Sequence, residues 1–88
     1  MNRVLVIFTI HTDNLPPNFP EILKKEKEVV AEWMSQGLLE QIYLQPTRNG
    51  AVLMFKDLDE ARVDQLMRTL PFYQFVKSVE ILPLIKED

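Results

Sequence analysis

Two segments of this chain are apolar at almost every position, and they restrict the possible folds more than any other feature. Residues 4–10 read VLVIFTI, and residues 51–55 read AVLMF. A strand with one solvated face alternates apolar and polar residues, whereas a strand buried on both faces reads as a nearly uninterrupted apolar run. We therefore expect both segments to be central strands of a sheet whose two faces are covered.

The segment between these strands predicts a helix and then a hairpin. Residues 21–37 have the apolar periodicity of a helix, and Gly37 can adopt the left-handed conformation that ends one. An Asn-Gly pair, residues 49–50, then lies between two strand-prone runs at residues 38–45 and 51–56. Asn-Gly between such runs is a strong hairpin signal.

The rest of the chain completes a known pattern. A second helix, capped by Asp57 or Asp59, ends at Pro71, and a last strand spans residues 76–84. The order β-α-β-β-α-β is that of the ferredoxin-like fold. We expect residues 1–88 to form one α+β domain of this type, with a four-stranded antiparallel sheet in the order 4-1-3-2 and two helices on one face.

Two helices cover only one face of such a sheet, so the apolar pattern of the first strand leaves the other face to be explained. Leu5 and Ile7 are as apolar as their neighbours that point the other way. A chain of 88 residues without cysteine buries little apolar surface alone and has no disulfides to stabilise it. We expect a homodimer through the open sheet faces, a dimeric α/β barrel, or a larger ring of such dimers.

One carboxylate of the first helix lies on its apolar face. Glu26 projects between Val30 and Trp33, whereas the other glutamates of this helix share the opposite, charged face. An unpaired buried carboxylate costs several kcal/mol and has a raised pKa. Two interpretations are open: a general acid or base, or a structural carboxylate that pairs with a basic residue such as Arg48 or reaches water at the helix edge.

Two segments of the sequence resemble the muconolactone isomerase family. They are the run Glu26-Lys27-Glu28 with the helix that continues to residue 37, and the run LMRTLPF at residues 66–72. The resemblance spans about residues 4–84. It implies a ferredoxin-like fold that pairs into dimeric α/β barrels, and a double-bond shift in a lactone by cofactor-independent proton transfer through a dienolate. An acidic residue of the family falls at Glu26, which the resemblance therefore implies as the catalytic acid/base.

Three further residues are candidates for substrate binding. His11 follows the first strand, where a cleft can open, and histidine is the side-chain type best suited to proton transfer near neutral pH. Tyr43 can donate a hydrogen bond to a developing enolate oxygen, as can Tyr73. Arg48 in the hairpin loop can bind a substrate carboxylate through two hydrogen bonds. One histidine, no cysteine and no ligand-spaced acidic cluster predict no metal site.

Charge and composition exclude several classes of protein. A net charge of −3 argues against binding nucleic acid or an anionic membrane. RNA-recognition domains share this element order but stack bases on aromatic residues of the first and third strands. The third strand here has only Phe55. No apolar run is long enough to span a membrane, and the sequence is typical of a cytoplasmic protein.

These observations lead to three hypotheses of function. The first is a cofactor-independent isomerase of the muconolactone isomerase type, which moves a proton in a small unsaturated lactone or oxo acid with Glu26 as acid/base. The second is a dimeric α/β barrel that binds a small apolar ligand without turnover. The third is a cofactor-free monooxygenase of the same fold.

Overall fold

The computed structural model describes residues 2–87 and has the predicted order of elements. Within this range the elements are β1 (Asn2–Ile10), α1 (Phe19–Ser35), β2 (Leu39–Leu44), β3 (Gly50–Lys56), α2 (Glu60–Arg68), a 3-10 helix (Pro71–Phe75) and β4 (Val76–Ile85). The strands pair antiparallel in the order β2-β3-β1-β4. The ferredoxin-like α+β fold predicted from the sequence is confirmed.

The hydrophobic core lies between the helices and one face of the sheet. The two central strands contribute alternate residues to it, and α2 contributes one face. The buried residues of these three elements are Val4, Val6, Phe8, Ile10, Leu53, Phe55, Val63, Leu66 and Met67. From α1, Trp33 places its ring 5.6 Å from that of Phe55, centroid to centroid. Burial of each large side chain stabilises the fold by about 1.5–3 kcal/mol.

The helix ends follow their sequence signals. Asp59 caps α2, since its carboxylate accepts a hydrogen bond of 2.8 Å from the backbone N–H of Arg62. Gly37 follows α1 with a φ of 77°, the left-handed conformation that glycine adopts without a steric cost. No helix within residues 2–87 is long and apolar enough to cross a membrane.

The β2–β3 hairpin forms where the Asn-Gly pair predicted it, but neither residue of this pair has the left-handed backbone conformation. Arg48 has a φ of 65°, and Gly50 already belongs to β3. At Gly50 the space is tight: a Cβ there would lie 3.2 Å from the backbone oxygen of Phe8 and 2.5 Å from Oε1 of Gln45, so the Gln45 side chain would have to move.

The second face of the sheet has no helix on it within the described residues. Strand register places Leu5 between Met54 and Leu82, and Ile7 beside Val52 on this open face. Arg3 lies at one end of the same face. The open face therefore carries a mainly apolar strip, as the pattern of the central strands predicts.

Candidate functional site

A cavity of about 320 Å³ opens on the helix side of the sheet, between α1 and the hairpin end of β2 and β3. This volume is at the lower end of the range of about 300–1,000 Å³ that is usual for small-molecule sites. Most of its wall is aliphatic or aromatic. The charged and amide residues that line it are Glu26, Lys27, Arg48 and Asn49.

Glu26 is the buried carboxylate of this cavity. It is 9% exposed, and its Oε1 accepts a hydrogen bond of 2.9 Å from the backbone N–H of Phe72. Burial raises the pKa of Glu26 to about 7, although the Phe72 hydrogen bond acts in the opposite direction. A carboxyl group with this pKa is a mixture of base and acid at neutral pH, which suits proton transfer in either direction.

The 3-10 helix explains why a carboxylate is held at this point. Its first residue, Pro71, has no N–H, and the preceding Leu70 has no side-chain acceptor with which to cap the helix. The N–H of Phe72 therefore needs an acceptor from elsewhere, and Glu26 supplies it across 46 residues of sequence. The contact gives Glu26 a structural role and also fixes the position of its carboxylate.

The second oxygen of Glu26 faces accessible space. Oε1 accepts the one hydrogen bond that this side chain makes within residues 2–87. Among the described residues, no fully buried side-chain oxygen or nitrogen lacks a partner. Oε2 must therefore be reachable, and the cavity that Glu26 lines is the space beside it. A substrate in the cavity could thus meet a lone pair, or a proton, on Oε2.

Arg48 lines the same cavity but does not neutralise Glu26. The ion pairs within residues 2–87 are Arg3–Glu40 and Arg68–Asp64, so Arg48 lies beyond 4.0 Å from the Glu26 carboxylate. Pairing of Glu26 with Arg48, one interpretation of the sequence, is not what the structure contains.

Two polar residues of the cavity were not singled out by the sequence. Lys27 follows Glu26 on α1, lines the cavity and is exposed. The Asn49 side-chain oxygen accepts a hydrogen bond from the hydroxyl of Thr47, which leaves the amide nitrogen of Asn49 able to donate. The sequence marked Asn49 only as a turn residue, because its type is common in turns for conformational reasons.

His11 and Tyr43 lie outside the cavity. His11 is exposed, and its backbone N–H donates to the oxygen of Phe75 at 2.8 Å. Tyr43 is 60% exposed on the open face of the sheet, where its hydroxyl donates to Oε1 of Gln41 at 3.1 Å. The structure brings together Glu26 and Arg48 but not these two.

A β-bulge explains the position of Tyr43. Strict alternation from the buried Leu39 would place Tyr43 on the helix side, but the register of β2 shifts between Leu39 and Gln41. The extra residue, Glu40, moves the following side chains to the opposite faces. Tyr73, the other tyrosine candidate, stacks on Phe8 with 6.3 Å between ring centroids and does not line the cavity.

An aromatic cluster packs beside Glu26. The ring of Phe72 stacks on Phe19 at 5.3 Å and meets Phe75 edge-on at 6.1 Å, centroid to centroid. These rings link the beginning of α1 to the 3-10 helix and hold the Phe72 N–H in place. Burial of the carboxylate is the cause of its raised pKa.

Among residues 2–87, no group of three or more histidine, cysteine or acidic side chains is arranged to bind a metal ion. No protein-family model matches the sequence, and no curated protein matches it. The similarity to known proteins lies in the fold.

Solved structures with this fold include enzymes of different chemistry. Muconolactone isomerase matches with a TM-score of 0.77 at 14% identity, over 99% of this chain and 91% of the other. An antibiotic biosynthesis monooxygenase matches with a TM-score of 0.62 at 14% identity, over the full length of both. A chlorohydroxyhydroquinone dehydrochlorinase from Burkholderia phenoliruptrix has a TM-score of 0.57, 10% identity and 90% coverage of each chain.

These matches establish a shared fold and do not assign a reaction. The named activities are isomerisation, mono-oxygenation and dehydrochlorination. A fold that supports several chemistries leaves the function to be argued from the site. The fold is compatible with both the isomerase and the monooxygenase hypotheses.

Proposed function

We propose that this protein is an enzyme that moves a proton within a small unsaturated lactone or oxo acid, without a cofactor, using Glu26 as acid/base. The observation that carries the proposal is the position of Glu26. Its carboxylate lines an apolar cavity, has one oxygen free, and has a pKa of about 7. The overall similarity to muconolactone isomerase supports the same reaction class.

The proposed reaction is a balanced proton shift. Ionised Glu26 removes a proton from the γ carbon of an α,β-unsaturated lactone through Oε2. The electron pair of that C–H bond delocalises to the lactone carbonyl oxygen and forms a dienolate. The protonated Glu26 then returns the proton to the α carbon, which leaves the double bond between the β and γ carbons. One carboxyl group performs both steps, so its pKa must suit both.

The other polar residues of the cavity would bind and stabilise the substrate. The Asn49 side-chain amide is the candidate donor to the dienolate oxygen. Arg48 would bind a carboxylate on the substrate, as we expected from its sequence position. His11 and Tyr43 have no part in this proposal, because neither lines the cavity.

Proton NMR in deuterated water with muconolactone as substrate tests the proposal. We expect the wild type to move the double bond and to exchange a ring proton for deuterium. Glu26→Gln should lower the rate by at least about 100-fold, because it removes the proton acceptor but keeps an oxygen for the Phe72 N–H. Glu28→Gln, on the exposed face of the same helix, is the matched control and should be as active as the wild type.

The pH dependence adds a second criterion. Since the reaction begins with ionised Glu26, kcat/KM should rise with pH and level off above a pKa of about 7. Equal rates for wild type and Glu26→Gln would remove Glu26 from the mechanism. No exchange by folded wild type would reject this substrate and favour ligand binding without turnover. In that case the hydrogen bond from the Phe72 N–H would account for the buried carboxylate as a structural feature.

We also propose that the working form is a homodimer joined through the open sheet face. The support is the apolar strip on that face, where Leu5 and Ile7 of β1 lie beside Val52 and Met54 of β3. Leu82 of the neighbouring strand is 42% exposed although it is a large apolar residue. Apolar surface of this kind on a small domain commonly marks an interface with another protein.

A further inference from the structure

Two basic residues line the cavity although the protein as a whole is negative. The net charge is −3, yet two of the three ionisable residues that line the cavity, Lys27 and Arg48, are basic. Lys27 comes from α1, and Arg48 comes from the hairpin loop, so the two approach the cavity from different elements. Both are exposed, and Glu26 is the buried acid of the same cavity.

Lys27 has no acidic residue three or four positions away on its own helix. Side chains three and four residues apart share one helix face, and at these spacings Lys27 meets Leu23, Lys24, Val30 and Ala31. Each of the other two lysines of α1 has glutamates at these spacings on both sides. Lys27 is also the lysine of α1 that lines the cavity, and it forms no ion pair within residues 2–87.

Arg48 occupies a backbone position that disfavours it. Its φ of 65° is sterically unfavourable for a residue with a long side chain, and glycine or asparagine usually takes such a position. Asn49 and Gly50 follow directly, yet neither of them has a positive φ. Arginine at this point gains nothing for the turn. Within residues 2–87 its guanidinium forms no ion pair, so it is available to a ligand in the cavity that Arg48 lines.

We infer that Lys27 and Arg48 form an anion clamp, which holds the carboxylate of a ligand at the mouth while the apolar body of that ligand enters the cavity. The clamp determines specificity: it selects an acid over a neutral molecule of the same shape. The inference rests on the cavity being a ligand site, as the proposed function requires. It does not depend on turnover, because binding alone engages both cations.

The test compares phenylacetate with phenylacetamide, which has the same shape and no charge. Calorimetric titrations would measure both affinities for the wild type, Lys27→Gln and Arg48→Gln. We expect each substitution to weaken the affinity for phenylacetate about three- to tenfold and to change the affinity for phenylacetamide by no more than about twofold. Arg48→Lys, which keeps the charge, should retain most of the affinity. Lys24→Gln, exposed on the same helix with acidic neighbours, is the matched control.

Three outcomes would overturn the clamp. The first is failure of the wild type to bind phenylacetate at millimolar concentration. The second is an unchanged affinity for phenylacetate in both variants. The third is an equal loss of affinity for phenylacetate and phenylacetamide, which would indicate an effect of shape. The result separates from that of the isomerase test. Charge-selective binding without deuterium exchange would reject the proposed reaction and support the anion clamp. Deuterium exchange without charge-selective binding would support the reaction and reject the clamp.

Discussion

The two faces of the sheet each hold one buried charged side chain, and the two are stabilised in different ways. On the open face, Arg3 is 7% exposed and forms a two-point ion pair with Glu40, with N–O distances of 2.9 and 3.1 Å. On the helix face, Glu26 is 9% exposed and accepts one backbone hydrogen bond.

This difference separates a structural charge from one that is available for chemistry. The Arg3 guanidinium lowers the pKa of Glu40, so the pair stays ionised and neutralised at neutral pH. Glu26 has no countercharge within 4.0 Å among the described residues, and burial raises its pKa to about 7. A buried charge with a full set of partners stabilises a fold, whereas one with an open lone pair can exchange a proton.

The largest expected effect concerns the open face and its proposed dimer. Leu82→Glu would place a carboxylate in each half of a symmetric interface, and unpaired buried charge costs several kcal/mol per site. We expect the dimer to weaken by about 1,000-fold or more, as measured by sedimentation velocity across a dilution series. Ala61→Glu, exposed on α2, should leave it intact. A monomeric wild type would contradict the proposal.

The second effect concerns the stability of the helix face as pH changes. The folded state holds the Glu26 proton more tightly than the unfolded chain does, because the pKa rises from 4.5 to about 7 on folding. Its favourable contribution is therefore complete below pH 4.5 and is lost as pH rises through 7. Glu26→Gln should be more stable than wild type at pH 9, by about 2–3 kcal/mol, and similar to it at pH 4.

Urea denaturation at each pH would measure this difference. The other charged residues that line the cavity with Glu26 are Lys27 and Arg48. Glu28→Gln serves as the control for a surface glutamate and should follow the wild-type curve. Parallel curves for wild type and Glu26→Gln would mean that Glu26 titrates as an ordinary surface carboxyl group.

The smallest effect concerns the ion pair of the open face. Glu40→Gln would leave the buried Arg3 without its countercharge, although the glutamine oxygen can still accept one of its hydrogen bonds. We expect Tm to fall by a few degrees, and the fall should disappear at acidic pH once Glu40 itself is protonated, which its lowered pKa delays relative to an ordinary glutamate. Deuterium exchange by the enzyme should not change. A loss of exchange would show that the two faces are coupled.

Much of the fold was predictable because local signals and the global pattern agree. The apolar residues at 4–10 and 51–55 occupy central strands, Asp59 caps α2, and Gly37 follows α1. The 3-10 helix was not predicted, since Pro71 was interpreted only as the end of α2. A single short turn has no periodicity from which it can be recognised.

The site was predictable only where one element determines it. Helical periodicity placed Glu26 on the buried side of α1, but it could not identify a backbone N–H as the partner, because every non-proline residue carries one. The face of Tyr43 depends on the bulge at Glu40, which no residue type signals. Lys27 was detectable, because its lack of acidic residues three or four positions away is visible in the sequence.

The hydrogen bond from Phe72 to Glu26 joins the first βαβ half of the molecule to the second. A nascent chain that has formed only the first half therefore lacks both the amide partner of Glu26 and the complete burial that raises its pKa. The strength of the base is created when the two halves assemble. The raised pKa of Glu26 is thus a property of the completed molecule, and a partly folded chain lacks it.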